Sequence, residues 1–229
     1  MVLAACTSGT AASRPPTTPP GAGPQSAVTK TQSMLLGLTD LPAGWKSFSP
    51  PPVDVGPNAG PAAALQTCLQ SDAGLFRHDR PGHVFVSTQT YLSPEYITLV
   101  ENLDVAPNSA AADADFSVLA KPGLPACLAQ AYGTVLTGEL AAQGSHNVDV
   151  TASKGAPLAM PATGDRSSAF RAFVTLVNNG QPEYVYVDDL VFQVGSTTAT
   201  LQFERVFSPV DAGLEQQLVN KAAARLTGA

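Results

Sequence analysis

Three alternating runs joined by very short turns near the C-terminus constrain the fold more than any other feature of this sequence. The runs cover residues 167–177, 183–194 and 197–207, and the turns between them are Asn179-Gly180 and Gly195-Ser196. Apolar and polar residues that alternate with a period of two predict strands. An Asn-Gly pair between two such runs predicts a type I′ hairpin, because both residues tolerate positive φ. The sequence therefore predicts a three-stranded antiparallel meander whose register is set by its turns.

The predicted register places a mixed group of charged and aromatic side chains on one side of the meander. The residues expected there are Arg171, Phe173, Tyr184, Tyr186, Asp188 and Arg205, with Phe203 and Phe207 on the same side. One interpretation is a ligand-binding pocket wall, in which an arginine binds an acidic or phosphorylated headgroup above an aromatic floor. The other is an Arg171–Asp188 cross-strand pair at the sheet margin, which contributes less than about 1 kcal/mol if exposed. The second is favoured, and the ligand site is kept as a hypothesis.

The rest of the chain predicts one α+β domain over residues 28–229. Alternation predicts strands over residues 84–91, 96–105 and 146–154, and helical spacing predicts helices over residues 62–70, 110–119, 124–140 and 211–226. Residues 29–45 predict one or two helical turns, and residues 49–61 are too rich in Pro and Gly for regular structure. The fold class is α+β: an antiparallel sheet of about six strands with helices packed against it.

Cysteine usage points to an oxidising compartment. With Cys6 set aside, Cys68 and Cys127 remain, and neither belongs to a CxxC motif or a metal-type spacing. We expect a disulfide between them, with their Cα atoms within about 7 Å. The alternative is two buried free thiols.

The N-terminal residues resemble a bacterial lipoprotein signal. Leu3-Ala4-Ala5-Cys6 places small residues before a cysteine, so residues 1–5 are interpreted as the remainder of a signal peptide and Cys6 as the lipidated first residue of the mature chain. The alternative is an accidental match. Residues 6–27 are rich in Pro, Thr and Ser and predict a disordered tether, which could also carry O-linked glycans.

Charge and hydropathy exclude two classes of function. The net charge is −6, and the 12 Lys and Arg residues are scattered singly, whereas nucleic-acid binding requires clustered cations. No run of 18 apolar residues is present, so the sequence predicts no transmembrane helix. Contact with a membrane is expected only through the lipid at Cys6.

No sequence motif predicts catalysis, a metal site or a cofactor. GxSxG, HExxH, GxGxxG, P-loop and CxxC patterns are missing. Asp188 and Asp189 are adjacent on a predicted strand, so they face opposite sides and do not form an acid/base pair. His78, Asp79 and His83 could supply three metal ligands, but their Pro-Gly loop favours a solvated turn.

Several segments together resemble a known class of bacterial proteins. The Leu-Ala-Ala-Cys site, the Thr/Pro tether, the LLGLTDLPAGW segment at residues 35–45 and Cys127 in LAKPGLPACL carry the resemblance. The chain is similar in these to actinobacterial cell-envelope lipoproteins and to extracellular sensor-type domains of serine/threonine kinases. The resemblance implies a cupped antiparallel sheet of PsbP-like type with a ligand-binding cleft.

The sequence thus predicts a lipid-anchored binding or accessory protein on the extracytoplasmic face of the cell membrane. Its candidate partners are an envelope lipid, a glycan or another protein. Two other functions stay open: a secreted hydrolase or transferase without a recognisable motif, and a purely structural envelope module.

Overall fold

Eight strands form one antiparallel sheet in the computed structural model, which describes residues 24–48, 65, 68–69, 80–119, 121–142, 144 and 148–228. The strands are β1 Lys46–Phe48, β2 Val84–Ser87, β3 Thr90–Leu92, β4 Thr98–Val105, β5 Val148–Pro157, β6 Arg166–Asn178, β7 Gln181–Val194 and β8 Thr197–Val206. The α-helices are α1 Pro24–Gln32, α2 Ser109–Leu119, α3 Leu124–Ala142 and α4 Ala212–Thr227, and a 3₁₀ turn covers Leu38–Asp40. The architecture is α+β, as predicted.

The order of strands follows from one helical crossover. The sheet runs β1-β3-β4-β8-β7-β6-β5, with β2 also paired to β4. After β4 the chain passes through α2 and α3 to the far edge at β5, and the meander then returns to pair β8 antiparallel with β4. This return places β7 and β8 in the interior of the sheet.

The predicted register of the meander is confirmed. Arg171 pairs with Asp188, and Phe173 pairs with Tyr186. At the β6–β7 turn, Asn179 has φ 49° and Gly180 has φ 80°, both in the region that a type I′ turn requires.

Helices cover both sides of the sheet. We call the side that carries Arg171 and Asp188 the front face and the opposite side the back face. The front core joins α4 to the middle of the sheet and contains Leu99, Leu103, Leu190, Phe192, Leu201, Phe203, Leu218, Val219 and Ala222. The back core joins α3 to β6 and β7 and contains Leu124, Leu128, Ala129, Phe170, Val174, Val185, Val187 and Val191. Each of the leucine, valine and phenylalanine side chains among them contributes roughly 1.5–3 kcal/mol by leaving water.

The prediction of about six strands is wrong, and one reason is a bulge. The alternating run at residues 84–91 is two strands, because the pairing of β2 with β4 and that of β3 with β4 differ by one residue. At the break, the Thr88 hydroxyl accepts a hydrogen bond from the Glu101 amide at 2.9 Å. The extra residue brings Tyr91 to the same face as Val86, whereas strict alternation put them on opposite faces.

The other reason for the larger count is β1, a short strand that pairs with β3. Its three residues all lie exposed, so no alternation of burial marks it in the sequence. At the N-terminal side, α1 begins at Pro24, within the segment assigned to the tether. The segment 49–61 lies outside the described residues.

A disulfide joins Cys68 to Cys127, as predicted. Their Cα atoms lie 5.5 Å apart, and 59 residues separate them in sequence. Closing a loop of that length stabilises the fold by about 4 kcal/mol in the chain-entropy account. Of the predicted helix over residues 62–70, the described residues Leu65, Cys68 and Leu69 are helical. The disulfide therefore ties this segment to α3 on the back face.

Gly155→Ala should destabilise the protein. Gly155 on β5 lies so close to α3 that an added Cβ would stand 1.7 Å from the Pro125 carbonyl oxygen. The helix would have to move, at a cost of about 2 kcal/mol. The loss should appear as a lower urea midpoint with an unchanged m-value.

Gly133→Ala is the matched control, because Gly133 lies in α3 at the same interface. Its added Cβ would meet Ser153 at an ordinary 3.5 Å. Alanine also favours a helix interior by roughly 0.5–1 kcal/mol, so this variant should be neutral or more stable. Equal loss in both variants would contradict the close approach at Gly155.

Candidate functional site

The predicted site residues lie on the front face, between the N-terminal end of α4 and the Asn179-Gly180 turn. Near α4 the face is closed, and Asp188 has no exposed surface. Toward the turn, Arg171, Phe173 and Tyr186 are half-buried and Tyr184 is exposed. The site is therefore an open stretch of sheet next to a closed core.

Arg171 and Asp188 form a two-point ion pair. Arg171 donates from Nε to Asp188 Oδ1 at 2.6 Å and from one terminal nitrogen, Nη2, to Oδ2 at 2.7 Å. The Asp188 side chain is 0% exposed and that of Arg171 is 26% exposed. The cross-strand pair is therefore present, as the favoured interpretation had it. It is not an exposed pair, because the carboxylate is enclosed between the sheet and α4. Among the described residues, none accepts a hydrogen bond from the other terminal nitrogen of Arg171.

Glu215 of α4 is the third member of the charged group that contains Arg171 and Asp188. It lies in the first turn of α4, which begins with Asp211 as its N-cap accepting a hydrogen bond from the Leu214 amide at 3.0 Å. Burial, and a hydrogen bond to the Asp188 carboxylate, raise the pKa of Glu215 to about 8, although Arg171 opposes this shift. The raised pKa favours the neutral form of Glu215, which can donate its proton to the hydrogen bond with Asp188.

Three aromatic rings form the exposed part of the site. The Phe173 ring stacks on Tyr184 with centroids 5.3 Å apart and meets Tyr186 edge-on at 5.2 Å. The Arg171 guanidinium carbon lies 6.0 Å from the centre of the Tyr186 ring. Such ring pairs and cation–π contacts stabilise the arrangement of the rings around the arginine.

Arg205 lies on this face, opposite Tyr186, but its charge is directed elsewhere. Its guanidinium donates to Glu95 at 3.2 Å and to the Pro209 carbonyl at 3.5 Å. The structure therefore brings together five of the six predicted residues and leaves Arg205 in a separate ion pair. Their role in binding a ligand remains a prediction.

The loop with the candidate metal ligands contains an ionic network. His83 Nδ1 lies 2.8 Å from Asp104. Arg80 donates to Asp104 and, at 2.6 Å, to Asp115. Ligand atoms of His83, Asp104 and Asp115 lie within 4.8 Å of one another. The single Arg80 guanidinium is hydrogen-bonded to both carboxylates. His78 and Asp79 lie outside the described residues.

A second buried polar cluster, which the sequence did not predict, lies on the back face. Asp189 accepts a hydrogen bond from the Tyr132 hydroxyl at 2.8 Å and one from Gln202 at 3.2 Å. Burial raises the pKa of Asp189 to about 6. Asp188 and Asp189 do face opposite sides, as predicted. No sequence pattern pairs Tyr132 with Asp189, because 57 residues separate them.

Comparison with known proteins gives little further information. No family model and no curated protein matches this chain. Among solved structures, LpqN of Mycobacterium tuberculosis, which is involved in cell envelope biogenesis, matches with a TM-score of 0.24 and 15% identity. The match covers 63% of this chain and 82% of LpqN. At that TM-score the similarity supports no statement about this chain. None of the described helices has the length and apolarity to cross a membrane.

The domain should lose stability as pH rises. Burial raises the pKa of Asp189 to about 6 and that of Glu215 to about 8, so both hold protons in the folded state that the unfolded chain has lost. Stability falls with pH wherever the unfolded state binds fewer protons. The urea midpoint should therefore decrease from pH 5 to about pH 8 and level off above it.

Glu215→Gln should reduce the slope of this dependence between pH 7 and pH 8, where Asp189 has already ionised. The slope that remains comes from Glu101, whose pKa burial raises to about 7. Glu95→Gln is the control, because Glu95 is 69% exposed and its ion pair contributes little. A stability curve that stays flat over this range would show that the buried carboxyls are already ionised in the folded protein.

Proposed function

We propose that this chain is a lipid-anchored, extracytoplasmic binding protein of the cell envelope, and that its front face binds an anionic amphiphile. The observation that carries the proposal is the Arg171 guanidinium, which is held from below by a buried carboxylate and is open above, beside three aromatic rings.

Asp188 orients Arg171 but does not occupy all of its hydrogen-bond donors. Asp188 takes its Nε and one terminal nitrogen, which fixes the plane of the guanidinium at no further entropic cost when a ligand arrives. The remaining terminal nitrogen suits a carboxylate or phosphate oxygen. A charge-assisted hydrogen bond from this nitrogen would select ligands with an anionic group.

The aromatic rings would bind the apolar part of the ligand. Tyr184 is 36% exposed and stacks on Phe173, so apolar ring surface lies next to the cationic group. A ligand with an acidic group on an apolar body fits both features, whereas a small inorganic anion would leave the rings uncovered.

The proposed location of the protein, anchored by lipid at the cell envelope, is supported by separate observations. A disulfide such as Cys68–Cys127 persists in oxidising compartments. The Leu-Ala-Ala-Cys site and the Pro-rich segment after it fit a lipid attached at Cys6 and a tether between lipid and domain. The resemblance of residues 35–45 to envelope lipoproteins and kinase sensor domains supports binding rather than catalysis.

Cys6→Ala should release the protein from membranes. Expression of the parent from its genomic locus should give a membrane-associated protein whose mass includes acyl chains, because lipid attachment requires the Cys6 thiol. The measurement is membrane fractionation with intact mass spectrometry. The lipoprotein proposal fails if the variant stays in the membrane fraction and the parent carries no acyl chains.

Loss of the Arg171 cation should weaken the binding of dodecyl phosphate more than tenfold, since a hydrogen bond to a charged group contributes about 1.5–3 kcal/mol. The test variant is Arg171→Met together with Asp188→Asn. The second substitution avoids a buried unpaired carboxylate and keeps an acceptor for Glu215. Calorimetry of the parent and the variant gives the two affinities.

Two controls make this experiment specific. Dodecyl maltoside, a neutral amphiphile, should bind the parent and the variant equally. Arg166→Gln removes a cation that is 42% exposed and contacts the Phe116 ring, away from the front-face site, so it should leave both affinities unchanged. Unchanged binding of dodecyl phosphate by the double variant would refute the assignment of Arg171.

A further inference from the structure

The segment that joins α1 to β1 lies across the front face, and we call residues 33–41 the strap. Leu36 and Leu41 of the strap are 2% and 7% exposed and belong to the front core. The strap is thus part of the folded domain, yet it holds no strand pairing of its own. Side-chain contacts attach it to the sheet and to α4.

Glu101 is the central attachment. This residue of β4 is 0% exposed, and its Oε2 accepts a hydrogen bond from the Leu36 amide at 2.6 Å. The Tyr91 hydroxyl of β3 donates to the Leu36 carbonyl at 2.9 Å. Both backbone polar groups of Leu36 are therefore satisfied by side chains of the sheet.

The outer side of the strap is attached to α4. Arg225 forms an ion pair with Asp40 at 2.6 Å and donates to the Ser33 carbonyl at 3.3 Å, while Lys221 donates to the Asp40 carbonyl. The side chains of Arg225 and Asp40 are 34% and 21% exposed, so water reaches these outer contacts. The inner contact at Glu101, by comparison, is fully buried.

The surroundings of Glu101 favour its neutral form. Its Oε1 has no hydrogen-bond partner among the described residues. On β8 the residue opposite is Leu201, which carries no charge. Burial raises the pKa of Glu101 to about 7, with Asp40 acting in the same direction and the Leu36 amide and Arg225 opposing it. An ionised Glu101 regains full hydration only when the strap leaves the sheet.

We propose that Glu101 makes the strap a pH-sensitive latch: the neutral carboxyl holds the strap on the sheet, and ionisation of the carboxyl releases it. The strap is suited to this because its attachment is local, through one buried carboxyl and a few side chains, while the meander and α4 are held by the large cores. Opening exposes Tyr91 and Leu36 and leaves the strands paired.

Release would lengthen the connection to the membrane if the proposed anchor at Cys6 exists. Residues 33–41 extend to roughly 30 Å when fully stretched. This consequence rests on the proposed function, whereas the latch itself depends only on Glu101 and its neighbours.

Hydrogen exchange at the Leu36 amide tests the latch in the full chain. The opening equilibrium should rise by on the order of a hundredfold between pH 5 and pH 8, because the closed form holds a proton that the open form loses. NMR exchange rates, corrected for the intrinsic pH dependence of exchange, give this equilibrium. Trp45, the single tryptophan of the chain, packs against the front core just after the strap and should shift its emission to the red over the same range.

Glu101→Gln should abolish both changes, since its amide is isosteric with the neutral carboxyl and does not ionise. Glu215→Gln is the matched control: it removes another buried carboxyl, whose charged neighbours Asp188, Arg171 and Asp211 lie outside the strap, so the Leu36 response should stay. Tyr91→Phe, which removes only the hydroxyl bond to Leu36, should increase exchange about fivefold at every pH.

Two results would overturn the latch. One is constant Leu36 protection from pH 5 to pH 8 in the parent protein, which needs no variant to fold. The other is an undiminished pH response in Glu101→Gln. Both are independent of the binding of dodecyl phosphate and of acylation at Cys6, so failure of the latch is distinguishable from failure of the proposed function.

Discussion

Strand β7 is covered on both faces, and this constraint determines the polar chemistry of the domain. All residues from Val187 to Gln193 are buried, although three of them are polar. A buried polar group that lacks a partner costs more than the net gain from one hydrogen bond, so each of these side chains requires a partner on an adjacent element. Asp188 has Arg171 and Glu215 on the front face, and Asp189 has Tyr132 on the back face. Gln193 donates to Asp113 of α2 at 2.8 Å.

These contacts also fix the helices against the sheet. The back-face network attaches α3, the front-face network attaches α4, and Gln193 attaches α2. Apolar packing supplies most of the stability, but it is non-directional. The polar contacts are directional, so they select one placement of each helix. The same carboxyl that positions α4 also orients Arg171, and this is why the candidate ligand site lies where α4 begins.

The sequence predicts the meander well because its register depends on a local turn. Asn179-Gly180 fixes which residues pair, and alternation then assigns Arg171, Phe173, Tyr184 and Tyr186 to one face without any knowledge of the tertiary structure. The bulge at Thr88 is not predictable in this way, because it depends on a hydrogen bond to the Glu101 amide, 13 residues further along. Glu215 and Glu101 were missed for the same reason. In a sequence each is a single acidic residue, and only the fold shows that it is buried.

The buried carboxyls differ in what their protons control. Glu215 shares its hydrogen bond with Asp188, and the ion pair with Arg171 keeps one negative charge in that group favourable. Loss of the Glu215 proton would place a second negative charge at the junction of α4 with the sheet. At this junction Leu218, Val219 and Ala222 bury a large apolar surface. Glu101 contacts the strap, which has two buried leucines and no strand pairing. The cost of ionising a buried carboxyl is relieved by the opening that requires the least loss of contacts. For Glu215 that opening would disrupt the main front core. For Glu101 it would move only the nine residues of the strap. Ionisation of a buried carboxyl therefore lowers global stability at Glu215 and drives a local opening at Glu101.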